Sequence, residues 1–503
     1  MTTIKKAAKR LKKILAGLTV TAIVSSGVAS AEQVKLTLDE AITLALKNNH
    51  AIEQSEADRE AAKWALSEVR RNTGLMFTWG ASLRHIGGRY YHSRRVNHDF
   101  VKYAAREGLT DQNGNKYNPK LYPSYDNEMT NSFSVRMNVY TGGRLENQQE
   151  AAKYGLNAAD MRLEDTRQKV KFQTAAAYYQ VLERASYVEV QQESVRLLEE
   201  HLRTVEIQYE VGTVAKSDML ATNVQLANVR QNLNTARGNY LTAVAQLNNL
   251  MGLSVDTEVV TDATKNFEPW VLTEAECLQY SYEHRPDGIA AMYDMQQAEA
   301  ARKSAKAGYR PNVAVVAQGS FSGEGNFTAD HTQEQWAFGL EMQWNIFDNG
   351  ITSAQVHRAE AQKKRYESQA HQQVETIALE VHSAYVNLQM AAGNIEITSE
   401  AVAKAEEEFA IAQIRYVEGV DTNLNVMNAQ EKVVETKNNY YRALYNYNTS
   451  QAQLEKAMGI PVMIDTSKYV SLVKSGQSST KSLKESHVES TENRANKSKP
   501  FDK

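Results

Sequence analysis

The chain matches itself. Displaced by 207 positions, it aligns without a gap for more than a hundred residues, bringing Gly143 onto Gly350, Tyr178 onto Tyr385 and Tyr209 onto Tyr416. The same offset brings Gly212 onto Gly419, Asn232 onto Asn439, Ala236 onto Ala443 and Met251-Gly252 onto Met458-Gly459. Chance does not hold one register over that length, so the chain must fold as two copies of one unit. The opening of the first copy, Leu36 to Asn49, resembles Val271 to His284 at a larger offset, which places an insertion between about Tyr90 and Tyr125.

Each copy has the same order: a helix, two strands, then a long helical hairpin. The strands are read from a period of two. In "QWAFGLEMQWNIFDNG" (Gln335 to Gly350), Trp336, Phe338, Leu340, Met342, Trp344 and Ile346 fall on one face, and Ala337, Gly339, Glu341, Gln343 and Asn345 on the other. Phe133, Val135, Met137 and Val139 occupy the corresponding face of the first copy, beside a second strand that carries Trp79. Strands are expected at about 75–91, 130–141, 311–321 and 334–347.

The remainder is helical in pattern. Val195, Leu198, Leu202, Val205 and Tyr209 step by three and four, as do Val402, Ala405, Phe409, Ala412 and Tyr416. With only 7 Pro in 503 residues, long unbroken helices are permitted. A helix from Arg144 to Tyr209 would measure roughly 100 Å at ~1.5 Å per residue. Helices of that length build rods or tubes.

A tilted strand of about ten residues crosses a bilayer's hydrocarbon layer. Alternation of apolar and polar positions marks a transmembrane barrel wall. The competing explanation, a soluble sandwich, lacks an opposing sheet. Four strands cannot close a barrel, and an open edge in lipid leaves backbone groups unpaired at several kcal/mol each. Sister chains must therefore complete the wall. Two would supply eight strands and three would supply twelve, with the hairpins side by side as a tube.

The N-terminus carries Lys5, Lys6, Lys9, Arg10, Lys12 and Lys13, then an apolar run from Ile14 to Val28 and a small-residue site at Ala29-Ser30-Ala31. Residues 1–31 read as an export signal. Without those six cations, 51 basic residues remain against 60 acidic ones, a net charge of -9, which gives no reason to expect nucleic-acid binding. A mean hydropathy of -0.54 excludes a bundle of membrane-spanning helices. Cys277, the single cysteine, allows no internal disulfide. The expected layout is a first repeat over 32–252, a linker over 253–270, a second repeat over 271–466 and a disordered polar tail over 467–503. The hairpins are placed at 144–252 and 350–459.

From Leu36 to Met463 this arrangement resembles the TolC family of outer-membrane efflux and secretion channels. The residues that carry the resemblance are "LTLDEAITLALKNNHAI" at the start, with "YTGGR" (Tyr140 to Arg144) and "FDNG" (Phe347 to Gly350) at the strand-to-helix junctions. The inner hairpin turns resemble it at Tyr209 to Leu233 and Arg415 to Gln430. The resemblance implies a mainly α fold with a β-barrel part, in which antiparallel hairpins form an α-barrel and three chains form a twelve-stranded transmembrane β-barrel. It implies a passive exit duct of a tripartite efflux pump or type I secretion system in the outer membrane of a diderm bacterium. Partners would be a periplasmic adaptor (membrane fusion) protein and an inner-membrane transporter of the RND, ABC or MFS type. No cofactor, metal or catalytic group is implied.

Three groups of residues are candidates. The periplasmic aperture would lie at the hairpin tips, with Gly212, Thr213, Asp218, Gly419, Asp421, Asn425 and Asn428. Thr213, Ser217, Asp218, Asp421 and Thr422 are also read as caps for the following helices. Gly142, Gly143, Asn349 and Gly350 would turn strand into helix, while Trp79, Phe133, Met137, Trp336, Phe338 and Trp344 would face lipid. The tips depart from the family pattern. An Arg is usual two residues after the second tip glycine, where Asp421 stands, and Asp six and nine residues after it, where Asn425 and Asn428 stand. A polar constriction without acidic rings follows.

His85, His92 and His98 beside Arg89, Arg94 and Arg95 read as a solvated extracellular loop rather than a metal site, and Asp111 to Asn115 as a turn. No phosphate loop, dinucleotide fingerprint or nucleophile elbow is present. The helices alone would suit a periplasmic coiled-coil scaffold or adaptor without channel activity. The aromatic strands discriminate against that reading.

Overall fold

The computed structural model describes residues 34–85, 89–118, 127–262, 269–324, 333–464 and 466. The export signal (1–31) and the polar tail (467–503) lie outside the described residues.

The first repeat runs β1 (Val34–Leu36), α1 (Leu38–Asn48), α2 (His50–Arg71), β2 (Met76–His85), α3 (Arg89–Arg106), β3 (Asn127–Tyr140), α4 (Arg144–Glu210) and α5 (Lys216–Leu250). After β4 (Val259–Thr261), the second runs α6 (Glu274–His284), α7 (Pro286–Lys306), β5 (Asn312–Glu324), β6 (Gln333–Gln343), α8 (Ile351–Val417) and α9 (Asn423–Met458). The helices α4 and α8 are both 67 residues long.

Both repeats open with a capping box. The Thr37 hydroxyl accepts from the Glu40 amide while the Glu40 carboxylate accepts from the Thr37 amide, and Thr273 and Glu276 repeat the pattern. The opening helix of each repeat is a pair rather than one. The Asn49 side chain accepts from the Ala51 amide and restarts the chain as α2, and Pro286, which has no N–H to lose, starts α7.

Length dictates how the rods pack. The lower half of α4 pairs with α5, through Leu198, Leu226 and Val229, and its upper half pairs with α2 and α7. Above, Ala158 and Met161 bury against Ile289, Ala290 and Tyr293. Arg59 bonds Asp160, and Arg162 grips Asp294 at 2.5 and 2.7 Å. At mid-length lies the largest cluster, centred on Tyr178, Val181, Leu182, Leu247 and Met251.

The expected linker contains structure that periodicity did not reveal. β4 pairs in parallel with β1, Val34 opposite Val259. The buried Tyr178 hydroxyl donates to the Leu36 carbonyl at 3.0 Å and accepts from the Asp262 amide at 3.1 Å, holding both strands to α4. Burial raises that phenol to about 12. The chain after α9 is held in the same way. Glu164, fully buried, accepts from the amides of Val462, Met463 and Ile464 at 2.6, 3.1 and 3.2 Å, joining the end of the second repeat to the first.

Two strand boundaries differ from expectation. β6 ends at Gln343 rather than 347, because the Trp344 indole turns to donate to the Tyr309 carbonyl at 3.1 Å. Within the insertion the expected loop is the helix α3, which begins where β2 was expected to continue. Asp111 closes a turn, accepting from the amides of Asn113 and Asn115 at 2.9 and 2.8 Å.

Candidate functional site

The four long strands form one antiparallel sheet in the order β2-β3-β5-β6. Residues opposite one another share a face, so register decides its chemistry. Trp79 lies opposite Phe133, Phe133 opposite Gly319, and Gly319 opposite Trp336. The next row on that face is Phe77, Val135, Ala317 and Phe338, and another joins Met137, Val315 and Leu340. The apolar face therefore crosses both repeats without interruption. The Phe133 ring meets those of Phe77 and Phe321, tilted by about 30°, at centroid distances of 6.1 and 6.0 Å. One polar residue on it, Asn131, accepts from the Trp79 indole at 3.3 Å.

The reverse face carries Thr78, Ser82, Ser132, Ser134, Gln318, Ser320, Gln335 and Glu341. Arg136 and Glu341 pair there at 3.1 Å. Trp336 is 83 % exposed and Phe338 73 %, with nothing among the described residues to cover them. β2 and β6, the two outer strands, each pair on one side only among the described residues. Among those residues no helix is long and apolar enough to cross a membrane. Trp344 sits past the end of β6, and so lies outside the row to which it was assigned.

At the junctions the backbone must turn from strand to helix within two residues. Gly142 and Gly143 have φ of 66° and 90°, and Asn349 and Gly350 have 55° and 83°. These left-handed values cost a side chain energy, least for Gly and tolerably for Asn. Gly142 is also cramped, since a Cβ there would lie 2.7 Å from the Arg310 Cβ. Asp348 closes the second junction, accepting from the amides of Gly350 and Thr352 at 3.1 and 2.8 Å.

The tips lie at the other end of the rods. Gly212 and Gly419 take φ of 79° and 72°, with open space around each. The expected capping does not occur: Ala215 and Thr422 occupy the N-cap positions, and neither supplies a side-chain cap. The Thr213 hydroxyl instead donates back to the Gln208 carbonyl at 2.9 Å, closing the end of α4. Asp421 accepts from Asn425 Nδ2 at 2.5 Å and from the Thr422 amide at 2.8 Å, and stands 3.8 Å from Arg415. Those contacts, led by Asn425, hold its carboxyl below the usual range. Asn425 and Asn428 are exposed one turn apart on α9.

Behind the exposed tip residues is a buried polar bridge between hairpins that sequence reasoning missed. His201 on α4 bonds the side-chain Oδ1 of Asn423 on α9 at 2.7 Å. Asn423 Nδ2 donates to the Thr222 hydroxyl at 2.9 Å and the Asp218 carbonyl at 3.1 Å, both on α5. With both Asn423 donors so used, His201 is the donor through Nε2–H. Burial depresses the imidazole pKa, the Asn423 bond opposing it. Two turns higher, Gln430 donates to the Ser194 carbonyl at 2.9 Å. The signal was present as a second stripe on α4, Ser194, His201 and Val205, beside the one through Val195, Leu198 and Leu202. It faces α9, and the stripe through Leu202 faces α5.

Comparison with known proteins agrees with this architecture. The family model described as "Outer membrane efflux protein" matches residues 41–253 and 278–460. The chain is 25 % identical over 470 residues to the outer membrane protein TolC of Escherichia coli (strain K12), spanning 90 % of this chain and 86 % of that one. It is 26 % identical over 268 residues to the solvent efflux pump outer membrane protein SrpC of Pseudomonas putida, spanning 52 % and 56 %. Among solved structures, the CmeC outer membrane channel of Campylobacter jejuni superposes with a TM-score of 0.70 at 17 % identity, over 87 % of this chain and 89 % of that one. The outer membrane protein VceC of Vibrio cholerae gives 0.66 at 18 % identity, over 84 % and 96 %. With both matched segments falling on the two structural repeats, the chain belongs to the outer membrane efflux protein family and is an outer-membrane channel protein.

Proposed function

We propose that three copies of the chain join β2 of one to β6 of the next, forming a closed wall in the outer membrane. The hairpins then line up beneath it as one tube across the periplasm. The carrying observation is the sheet itself, four strands with two open edges and an unbroken apolar face. In lipid those edges must find partners, and copies of the same chain offer the matching strand. The polar reverse face, with Ser132, Ser134, Gln318 and Gln335, then lines a water-filled lumen.

The duct is passive, and its inner mouth is formed by the tips. A periplasmic adaptor and an inner-membrane transporter of the RND, ABC or MFS type would engage that end, and the same duct serves efflux or type I secretion. Tilting one hairpin against the other opens the mouth, because each tip side chain recurs once per subunit about the axis. The Asn423 bridge is where such a tilt meets resistance within one chain. Asn425 and Asn428 offer amides to the passing solute, while Asp421 is occupied by Arg415 and Asn425.

Purified full-length protein in planar bilayers tests the reading. Discrete, long-lived conductance steps are expected, increased when the His201–Asn423 bridge is removed by Asn423→Ala. Bilayers that stay silent with correctly folded protein would refute the duct.

A further inference from the structure

The first repeat carries α3 between β2 and β3, and among the described residues the second repeat has no counterpart. β2 leaves the helical rods at Met76 and β3 returns to them at Tyr140, so their connection stands at the opposite end of the sheet. In an outer-membrane channel with periplasmic rods, that end is the outer leaflet.

The helix has two properties together. Val96, Phe100 and Tyr103, spaced by four and three, form an apolar stripe with each residue more than half exposed. Val101 and Ala104 occupy another face and are buried at 6 % and 0 %, so the exposed stripe is not the one used to fold. Phe100 meets Tyr117 of the returning segment edge-on at 5.9 Å, which fixes the helix against its own loop. The charge is one-sided. Five cations in its sequence, Arg89, Arg94, Arg95, Lys102 and Arg106, stand against Asp99 within the helix and Glu107 just after it, which pairs with Arg106 at 3.2 Å, in a chain whose net charge is -3. Arg106 lies 5.9 Å from the Tyr103 ring, placing cation beside stripe.

An exposed apolar stripe flanked by cations describes a helix that lies in a membrane interface, its stem in the acyl boundary and its charges among anionic headgroups. We propose that α3 docks on the outer leaflet beside the barrel and binds phosphate-bearing lipid headgroups through Lys102 and Arg106, with Val96, Phe100 and Tyr103 inserted. The inference rests on the outer-membrane reading of the sheet. The other place for the helix, over the lumen, would crowd three such cationic helices around one axis and leave the stripes in water.

A fluorophore on Phe100→Cys in the full-length protein tests this, since Cys277 is buried and does not label. The protein is reconstituted in phosphatidylcholine vesicles with and without lipid A. With lipid A, quenching by brominated acyl chains is expected and quenching by aqueous iodide is suppressed. Lys102→Gln and Arg106→Gln should each weaken the lipid contact about fivefold. A second label, on Leu340→Cys, reports the lipid contact of the sheet in both vesicles, so failure of α3 to dock is distinguishable from failure of the membrane reading. Iodide access at position 100 in both vesicles would overturn the proposal. So would lipid contact indifferent to the two charges.

Discussion

Placing a cation on the sheet tests which of its faces meets lipid. Phe338 is the sixth of eleven residues in β6, in the row with Ala317, Val135 and Phe77, so Phe338→Arg puts a guanidinium near the middle of the hydrocarbon. Such a substitution costs about 2–4 kcal/mol at the midplane of a transmembrane barrel and about 0–1 kcal/mol near its edge. Met342, opposite Val313 at the end nearest the helices, occupies that edge. Gln335, on the reverse face, would place the same charge in the aqueous lumen. The folding equilibrium should therefore fall roughly 30- to 800-fold for Phe338→Arg. It should fall little for Met342→Arg and negligibly for Gln335→Arg. Urea titration of refolding into phosphatidylcholine vesicles, followed by Trp fluorescence, measures the series. Equal costs at 335 and 338, or a cost at 342 matching that at 338, would refute the assignment of faces and depth.

Three other substitutions reach different parts of the account. Gly142→Ala combines a φ of 66° with a Cβ 2.7 Å from Arg310, whereas Gly350→Ala meets only the left-handed backbone, which costs about 1–2 kcal/mol; thermal unfolding should show the first as the more damaging. Burial holds the pKa of His201 below its ordinary 6.5, so the folded tip favours the neutral ring. Its contribution is present above that value and is lost as pH falls below it, when the unfolded chain takes up a proton that the folded one resists. Protection factors of the tip amides, measured against the intrinsic exchange rate at each pH, should fall below about pH 6.5 and lose that dependence in His201→Gln. Asn425→Asp should add a ring of acids where the mouth presents amides and strengthen block of single-channel current by multivalent cations, roughly tenfold. An unchanged block would show that Asn425 is not at the constriction.

What could be read from the sequence follows from what leaves a period. The 207-residue repeat, the alternation of Trp336 to Met342 and the stripe from Val195 to Tyr209 are regular because one physical constraint acts on every turn or pleat. Features made by a single pairing leave no such trace. β1 and β4 are three residues each, pair across more than 200 residues of chain and are held to α4 through Tyr178, some 140 residues beyond β1. The Glu164 clasp on three distant amides is one side chain. His201 and Ser194 fall outside the single apolar stripe that heptad spacing marks, because α4 has neighbours on two sides and buries a second, partly polar stripe. Capping was misassigned at the tips for a related reason. Thr213 and Asp421 have better partners in Gln208, Asn425 and Arg415 than in the amides of the next helix.

If subunits complete one another's sheet, the number of chains per particle measures it most directly. Native mass spectrometry of the detergent-solubilised protein, with β content read in parallel by circular dichroism, should give the mass of three chains with the strands intact. A one-chain particle retaining full β structure would contradict it.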